Sequence, residues 1–389
     1  MFRSSFLAKR QADYNIWGYL PNIVRMKGMK MPISGSMDTG PDLAFVDCGI
    51  DASAGAGGGS GQVHSQNRRE VVISGKRVKT VDVHAHCIVP EAAQLIDHPL
   101  EAPGLLWSNI SDRLAQMDQS GIDVQALSIN PYWYQAERDA VAEFIQVQNE
   151  ALAEFCAPDQ DRFVAFATAA LQYPDLATKQ VEQAVKTFGF RGIGVGGSVA
   201  GEELANPKFH PFWGKCEELG VLVFMHPLGT RELEPSGRLD GNGLLTNTIG
   251  NPLETTIALS HLIFEGTLDR FPGLKICASH GGGFLPSYAN RSDAVITTFP
   301  DRVGAFPKKK PTEYIRGGQL YFDSIMFTEE GMRHLIAEAR IDHVVLGTDY
   351  PFPWNTAPVD HVMSIPGLSD EDRIKILGGT AAKLLGIEG

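Results

Sequence analysis

The sequence has no excess of positive charge, no membrane-length apolar run and no even set of cysteines. Its formal net charge is −12 at pH 7, the wrong sign for a phosphate backbone, which asks for a basic face. Its single run of three basic residues, Lys308-Lys309-Lys310, reads as a solvated loop. No stretch reaches the roughly 18–20 apolar residues that span a bilayer. Met1 to Arg10 lacks the apolar centre of a secretory signal. Cys48, Cys87, Cys156, Cys216 and Cys277 are odd in number and scattered, so the thiols read as reduced and the address as cytoplasmic. No nucleic-acid or membrane partner is expected.

What is present is enough chain for a large core. The 389 residues are 43% hydrophobic, which suits one large barrel with an appendage or two ordinary domains. Residues 1–78 differ from the rest. Ala52 to Gly61 consists only of Gly, Ala and Ser and reads as a flexible or extended loop. Arg69 to Lys79 reads as a β-hairpin turning at Ser74-Gly75. Trp17, Tyr19, Leu20, Ile23 and Val24 give the earlier part apolar surface with which to dock. We therefore read 1–78 as an N-terminal extension, an arm over the barrel or a neighbouring subunit, ahead of a barrel at 79–389.

The strongest local signal is His84-Ala85-His86, closing the run Thr80-Val81-Asp82-Val83. On a strand, side chains at i and i+2 share a face, so the two imidazoles converge, and imidazole is a common ligand for divalent transition metals. Two unrelated histidines after a strand is the plainer reading. Three further apolar runs end the same way. Val221–Met225 leads to His226, Leu274–Ser279 to His280, and His343–Thr348 to Asp349. Each is continuously apolar, the mark of a strand buried on both faces, and each is followed by Gly or Pro where a βα loop would begin. Further candidate strands lie near 122–129, 163–169, 191–197 and 319–323, with helical patterns between. Those helices include 111–120, 138–156, 175–188, 211–219, 252–271, 328–339 and 370–385. Eight alternating rounds predict an α/β fold, a (β/α)8 TIM barrel whose C-terminal mouth carries the polar residues. Connections near 87–107, 227–250 and 299–317 are long enough to be functional covers. Arg231, Glu232, Glu234, Arg238, Asp240 and Asn242 of the second line a pocket or face solvent.

Asp349 follows a buried strand, where an unpaired charge would cost several kcal/mol, so it needs a metal, an arginine or hydrogen bonds. Metal ligation is the preferred reading, with helix capping as the alternative. His280 precedes a glycine triplet that lets backbone approach a ligand closely. No GxxxxGK pattern supports a phosphate cradle there, and a histidine beside a metal either ligates it or handles the proton of its water. Arg113 and Arg291 fall in helices after catalytic-face loops. A guanidinium fork suits a carboxylate substrate, and a surface pair of Arg113 with Asp112 or Asp118 is the local alternative. Cys87 should face away from His86. Asp323, ending Leu320-Tyr321-Phe322, is a secondary candidate for ordering a catalytic histidine. His64, His98, His210, His261, His334, His343 and His361 share no strand-end pattern and read as structural.

These segments together resemble the amidohydrolase superfamily, and within it the aminocarboxymuconate-semialdehyde decarboxylase group. The resemblance runs from Val81–His86 through Met117–Ser128, Pro252–Thr256, Arg270–Lys275 and Ser279–Gly283 to Gly347–Pro353. It implies that His84, His86, His226 and Asp349 hold one divalent metal, usually zinc, with manganese or iron as alternatives. It implies His280 as the catalytic acid/base, with Asp349 as a second catalytic residue. Arg113 and Arg291 match arginines that bind substrate carboxylates, the second across a homodimer interface; a hetero-oligomer is the alternative. The strand-four end, Gly192–Gly197, offers no Lys or Glu for the bridge of two-metal relatives. Asn247 and Leu228 stand where the family often has tryptophan, and the 78-residue front is foreign to its basic pattern. The implied activity is metal-dependent, non-oxidative decarboxylation of a small aromatic or muconate-type acid. Hydrolysis or hydration on the same barrel, an oxygen-activating iron or manganese hydroxylase, and a non-catalytic scaffold subunit are the rivals.

Overall fold

The computed structural model describes residues 68–96, 110–352, 354 and 357–388. The Gly-rich loop, the arm before it, Cys48, His64 and His98 lie outside the described residues. The hairpin appears as expected, Val71–Ile73 pairing antiparallel with Lys76–Val78. It packs on the barrel, with Val71, Ile73 and Val78 in the main core. Arg68 and Arg77 both reach the buried carboxylate of Asp123, at 2.5 and 2.7 Å.

Eight parallel strands follow: β1 (Val81–His86), β2 (Val124–Ser128), β3 (Phe163–Ala167), β4 (Gly192–Val195), β5 (Leu222–Met225), β6 (Lys275–Ala278), β7 (Leu320–Asp323) and β8 (Val344–Val345). They hydrogen-bond in sequence order, and every strand anticipated from an apolar run is present. The barrel closes where β8 and its continuation meet β1. There Val83 donates to the Leu346 carbonyl, Asp349 to that of His84, and His86 to that of Tyr350, at 2.7–3.0 Å. Between strands lie α1 (Ile110–Ser120), α2 (Arg138–Cys156), α3 (Pro174–Phe188), α4 (His210–Leu219), α5 (Asn251–Phe264), α6 (Leu285–Thr298) and α7 (Glu329–Ala339).

Two layers of apolar side chains hold this arrangement. An inner cluster fills the cylinder with Val81, Val83, Phe166, Phe224, Cys277 and Val345, met by Ala381 and Leu385 of the last helix. The outer cluster lies between strands and helices. β1 has a register irregularity between Asp82 and Ala85. Such a bulge changes which face a residue presents. Val83 joins the inner cluster, and the next residue, His84, also sets its ring against Phe224 at 4.9 Å.

Some boundaries differ from the sequence reading. The single helix expected over 252–271 ends at Phe264, and a short helix, Thr267–Arg270, follows Gly266 at φ +80°. The left-handed backbone at this glycine breaks the run. The long connections contain short elements: Pro90–Leu95 in the first, Arg231–Ser236, Gly241–Gly243 and Thr246–Gly250 in the second, and Pro311–Ile315 in the third. The 370–385 helix is interrupted by a π turn at Lys375–Gly379. No helix among the described residues is long and apolar enough to cross a membrane.

Candidate metal centre

His84, His86, His226 and Asp349 meet at the C-terminal mouth, each offering a ligand atom within 4.8 Å of the others. His84 Nε2 and His86 Nε2 are 2.9 Å apart. Asp349 Oδ1 lies 3.1 Å from the first and 2.9 Å from the second. Ligands about 2.0–2.1 Å from a shared cation stand about 3.0–3.4 Å from each other, so the spacing of His84, His86 and Asp349 is close to that of a single ion's ligands, with His226 in reach of the same point. The donor set, three imidazoles and a carboxylate, suits zinc, manganese or iron.

The far side of each ring shows how the donors are aimed. His84 Nδ1 donates to Asp323 Oδ2 at 2.6 Å, and His226 Nδ1 donates to the Pro227 carbonyl at 2.9 Å. With Nδ1 donating on the far side, each Nε2 is turned toward the cluster, where the neutral ring would offer its lone pair to a cation. Asp323 is fully buried and also accepts from the backbone N–H groups of His280 and Gly281, both at 2.9 Å. It orders His84 through the ring and His280 through the backbone, which refines its expected role. A Cβ on Gly347 would stand 2.8 Å from Asp323 Cβ and 3.1 Å from His84 Cβ. Glycine is what lets the chain pass between them.

His280 and Asp349 both adopt left-handed backbone, at φ +53° and +60°. Such conformations cost about 1–3 kcal/mol for residues other than glycine and cluster at functional sites. Asp349 does not cap a helix with its side chain. Its Oδ1 faces the two β1 imidazoles, and its Oδ2 lies 3.6 Å from His280 Nε2. His280 Nδ1 is buried without a hydrogen-bond partner among the described residues.

Burial disfavours charge on every group here, and the neighbours decide the balance. For His84 burial is outweighed by Asp349 and Asp323, which push it up to about 10. His86 falls to about 4, through burial first and the charge of His84 among its neighbours. His226 is held well below the usual histidine range by burial and by the surrounding imidazoles. Asp349 is held well below the carboxylate range because His84 and the other histidines outweigh burial. Beneath the cluster Asp82, raised to about 6 by burial, accepts from His84 N, Gln125 Nε2 and both the N–H and hydroxyl of Thr348. The sequence reading gave Asp82 no role, although an acid between Val81 and Val83 at the start of a buried strand was a visible signal.

Arg113 is buried. Its Nη2 donates to the His86 carbonyl at 2.6 Å, its Nη1 to Gln125 at 3.0 Å, and its guanidinium lies 4.4 Å from the Tyr350 ring centre. The surface ion pair is thereby removed, since Asp118 binds Arg162 at 2.8 Å. Arg291 stands exposed on α6, makes no ion pair among the described residues, and is not among the side chains meeting at the cluster. Cys87 turns away from the metal donors toward the Ser128 carbonyl. The remaining described histidines, His210, His261, His334, His343 and His361, stay outside the cluster. Arg238, Asp240 and Asn242 are exposed, and the side chains of Arg231, Glu232 and Glu234 lie outside the described set.

Comparison with known proteins agrees with this architecture. Residues 81–387 match the amidohydrolase family model. The chain is 30% identical to 2-amino-3-carboxymuconate-6-semialdehyde decarboxylase of Dictyostelium discoideum, over 79% of this chain and 85% of that protein. It is 31% identical to gamma-resorcylate decarboxylase of Rhizobium sp. (strain MTP-10005), over 79% and 98%. A crystal structure of dihydroxybenzoic acid decarboxylase from Polaromonas sp. JS666, with bound manganese and the inhibitor 2-nitroresorcinol, superposes with a TM-score of 0.70. The two are 25% identical over 80% of this chain and 97% of that one. Since the match runs from the first barrel strand to the last helix, the chain belongs to the amidohydrolase family and is an enzyme of it.

Proposed function

We propose that this enzyme is a metal-dependent, non-oxidative decarboxylase of a small aromatic or muconate-type carboxylic acid. The observation that carries the reading is the division of labour at Asp349, one oxygen among the ligand nitrogens and the other toward His280. His84, His86, His226 and Asp349 would hold one divalent ion, zinc in the first instance, with manganese or iron as alternatives. When bound, the ion supplies positive charge that stabilises anionic oxygen beside it.

The chain's own residues account for the remaining steps. Cleavage of the C–C bond leaves its electron pair on the substrate carbon as CO2 departs, and that carbon must take up a proton. His280, with its Nε2 3.6 Å from Asp349 Oδ2, would hold and deliver it. The buried guanidinium of Arg113, and Arg291 from a second copy, would hold the substrate carboxylates. Exposed Tyr288 and Val295 on the helix of Arg291, with Phe299 just past its end, support a homodimer through that face. Phe352, set edge-on to His86 at 5.8 Å and stacked with Trp354 at 6.4 Å, gives the mouth an aromatic wall. Residues 1–78 are proposed as an appendage to a catalytic barrel at 79–389. Buried free thiols at Cys87, Cys156, Cys216 and Cys277 support a cytoplasmic address.

The test is elemental analysis of the purified protein followed by a panel of aromatic and muconate-type acids monitored for CO2 and O2. One ion per chain with CO2 released and no O2 consumed is the expected result; O2 uptake with iron bound would replace this reading by the hydroxylase. A second expectation concerns loading. A ligating His84 must be neutral, and in the metal-free protein it is raised to about 10. Metal binding near pH 7 should therefore expel about one proton, and apparent affinity should rise about tenfold per pH unit until it levels above that value. Calorimetry in buffers of different ionisation enthalpy measures the proton directly. A third is Asp323→Ala, which removes the acceptor of the His84 Nδ1 proton. It should weaken metal binding by about 10- to 100-fold in competition with a chelator.

A further inference from the structure

The first turn of α5 touches both loops that carry the remaining histidines. Glu254 is buried, and its Oε2 accepts the backbone N–H groups of Leu228 at 2.5 Å and Gly229 at 2.6 Å. These are the second and third residues after His226. Its Oε1 lies 3.3 Å from Ser198 Oγ in the loop after β4. Gly197, in that loop, has no room for a side chain, since a Cβ would stand 2.6 Å from Glu254 Cγ. Two residues further along α5, the Thr256 hydroxyl donates to the Pro252 carbonyl at 2.7 Å and accepts the Phe284 N–H at 2.8 Å. Phe284 ends the turn His280-Gly281-Gly282-Gly283. That turn lies directly on the helix: a Cβ on Gly283, at φ +64°, would stand 2.2 Å from the Pro252 carbonyl oxygen and 2.8 Å from Thr256 Oγ1.

We infer that Glu254 and Thr256 are positioning residues with separate charges, Glu254 setting the metal donor His226 and Thr256 setting the proton-handling His280. A carboxylate accepting two consecutive amides fixes the orientation of that peptide segment, and charge-assisted hydrogen bonds of this kind are among the stronger ones. His226 donates its Nδ1 proton to the Pro227 carbonyl, which belongs to the peptide whose N–H, at Leu228, Glu254 holds. Fixing that peptide therefore fixes the acceptor that sets the tautomer and aim of the His226 ring. On the other side, the Thr256 hydroxyl anchors the exit of a glycine-rich turn whose entry is anchored by Asp323. His280 is thus held at both ends of its turn while its ring touches neither brace.

This inference rests on the metal and proton roles proposed above for His226 and His280, and the experiment separates the two levels. Zn2+ affinity is measured by chelator competition and the pH profile of kcat with saturating metal. Glu254→Met should weaken Zn2+ binding by about 10- to 100-fold, the range for lost outer-shell support, and Glu254→Gln, which keeps an acceptor oxygen, should restore most of it. Thr256→Val should leave Zn2+ affinity within about threefold while lowering kcat by about tenfold or more and displacing its pH profile, with Thr256→Ser restoring both; outer-shell hydrogen bonds of this kind carry such effects. Should Glu254→Met not fold, Glu254→Asp carries the test, keeping the charge but falling short of both amides. Variants in which affinity and kcat fall together in proportion to lost thermal stability, or in which neither moves, would overturn the inference. If His226→Ala binds Zn2+ as tightly as the parent, the ligand assignment itself fails, whatever the Glu254 variants do.

Discussion

His280→Ala protein is expected to retain one metal ion per chain and to decarboxylate about 10²–10⁴-fold more slowly, the range lost with a general acid/base. The ring is not needed to build the ligand cluster. His84, His86, His226 and Asp349 converge without it, and its Nε2 stands 3.6 Å from Asp349 Oδ2. The turn it occupies is held through backbone groups, by Asp323 at its entry and Thr256 at its exit. Alanine at φ +53° costs about 1–2 kcal/mol over a residue that tolerates this region, which should appear as a modest loss of thermal stability. Metal analysis and single-turnover CO2 release separate the effects. Near-parental turnover with metal bound would remove His280 from proton transfer and pass the role to another group.

Asp349→Asn should do more damage, removing both metal and activity. Asparagine tolerates left-handed backbone as aspartate does, so the φ of +60° can be kept and the change is confined to charge. That charge is the first of the neighbours that hold His84 protonated in the metal-free protein against its burial. It would also supply the anionic donor of the proposed set. Without it the cation would meet neutral ligands in a site from which water is largely excluded, and Zn2+ affinity should fall by more than the ~100-fold upper range of outer-shell changes. The stabilisation that metal confers on the fold should vanish with it, about 2.7 kcal/mol at a hundredfold excess over Kd. Thermal melts of parent and variant with and without added Zn2+ read this directly. Asp349→Asn protein holding a full complement of metal at parental affinity would displace Asp349 from the ligand set.

The sequence was most legible where a single physical signal acts locally. Strands buried on both faces are continuously apolar, so all eight could be placed. The polar residue ending each of four runs then marked the mouth of the barrel. The helix Arg138–Cys156 was legible to the residue because its apolar positions recur at helical spacing, Gln148 and Asn149 being the polar exceptions on the buried face. The run after Pro252 was not, since Gly266 lies inside an otherwise helical pattern and its left-handed backbone is visible only in three dimensions. Partners distant in sequence were the least legible. Nothing near Asp118 announces Arg162, and nothing near Arg113 announces that its guanidinium reaches back to the His86 carbonyl. The same holds for Asp323, 239 residues from the ring it orders, and for Glu254, whose motif was noticed while its work on Leu228 and Gly229 was not.

The seam where the barrel closes has a consequence for how the enzyme is made. Two imidazoles come from the first strand and the carboxylate from the end of the last, with His86 and Asp349 263 positions apart in sequence. A ribosome delivering the chain in order must release nearly all of it before the cage for the cation can exist. Contacts so remote in sequence form late, so capture of the ion would act as a latch on a finished cylinder rather than a seed for an unfinished one. A nascent chain stalled short of Asp349 would present the β1 imidazoles with no carboxylate to complete their grip.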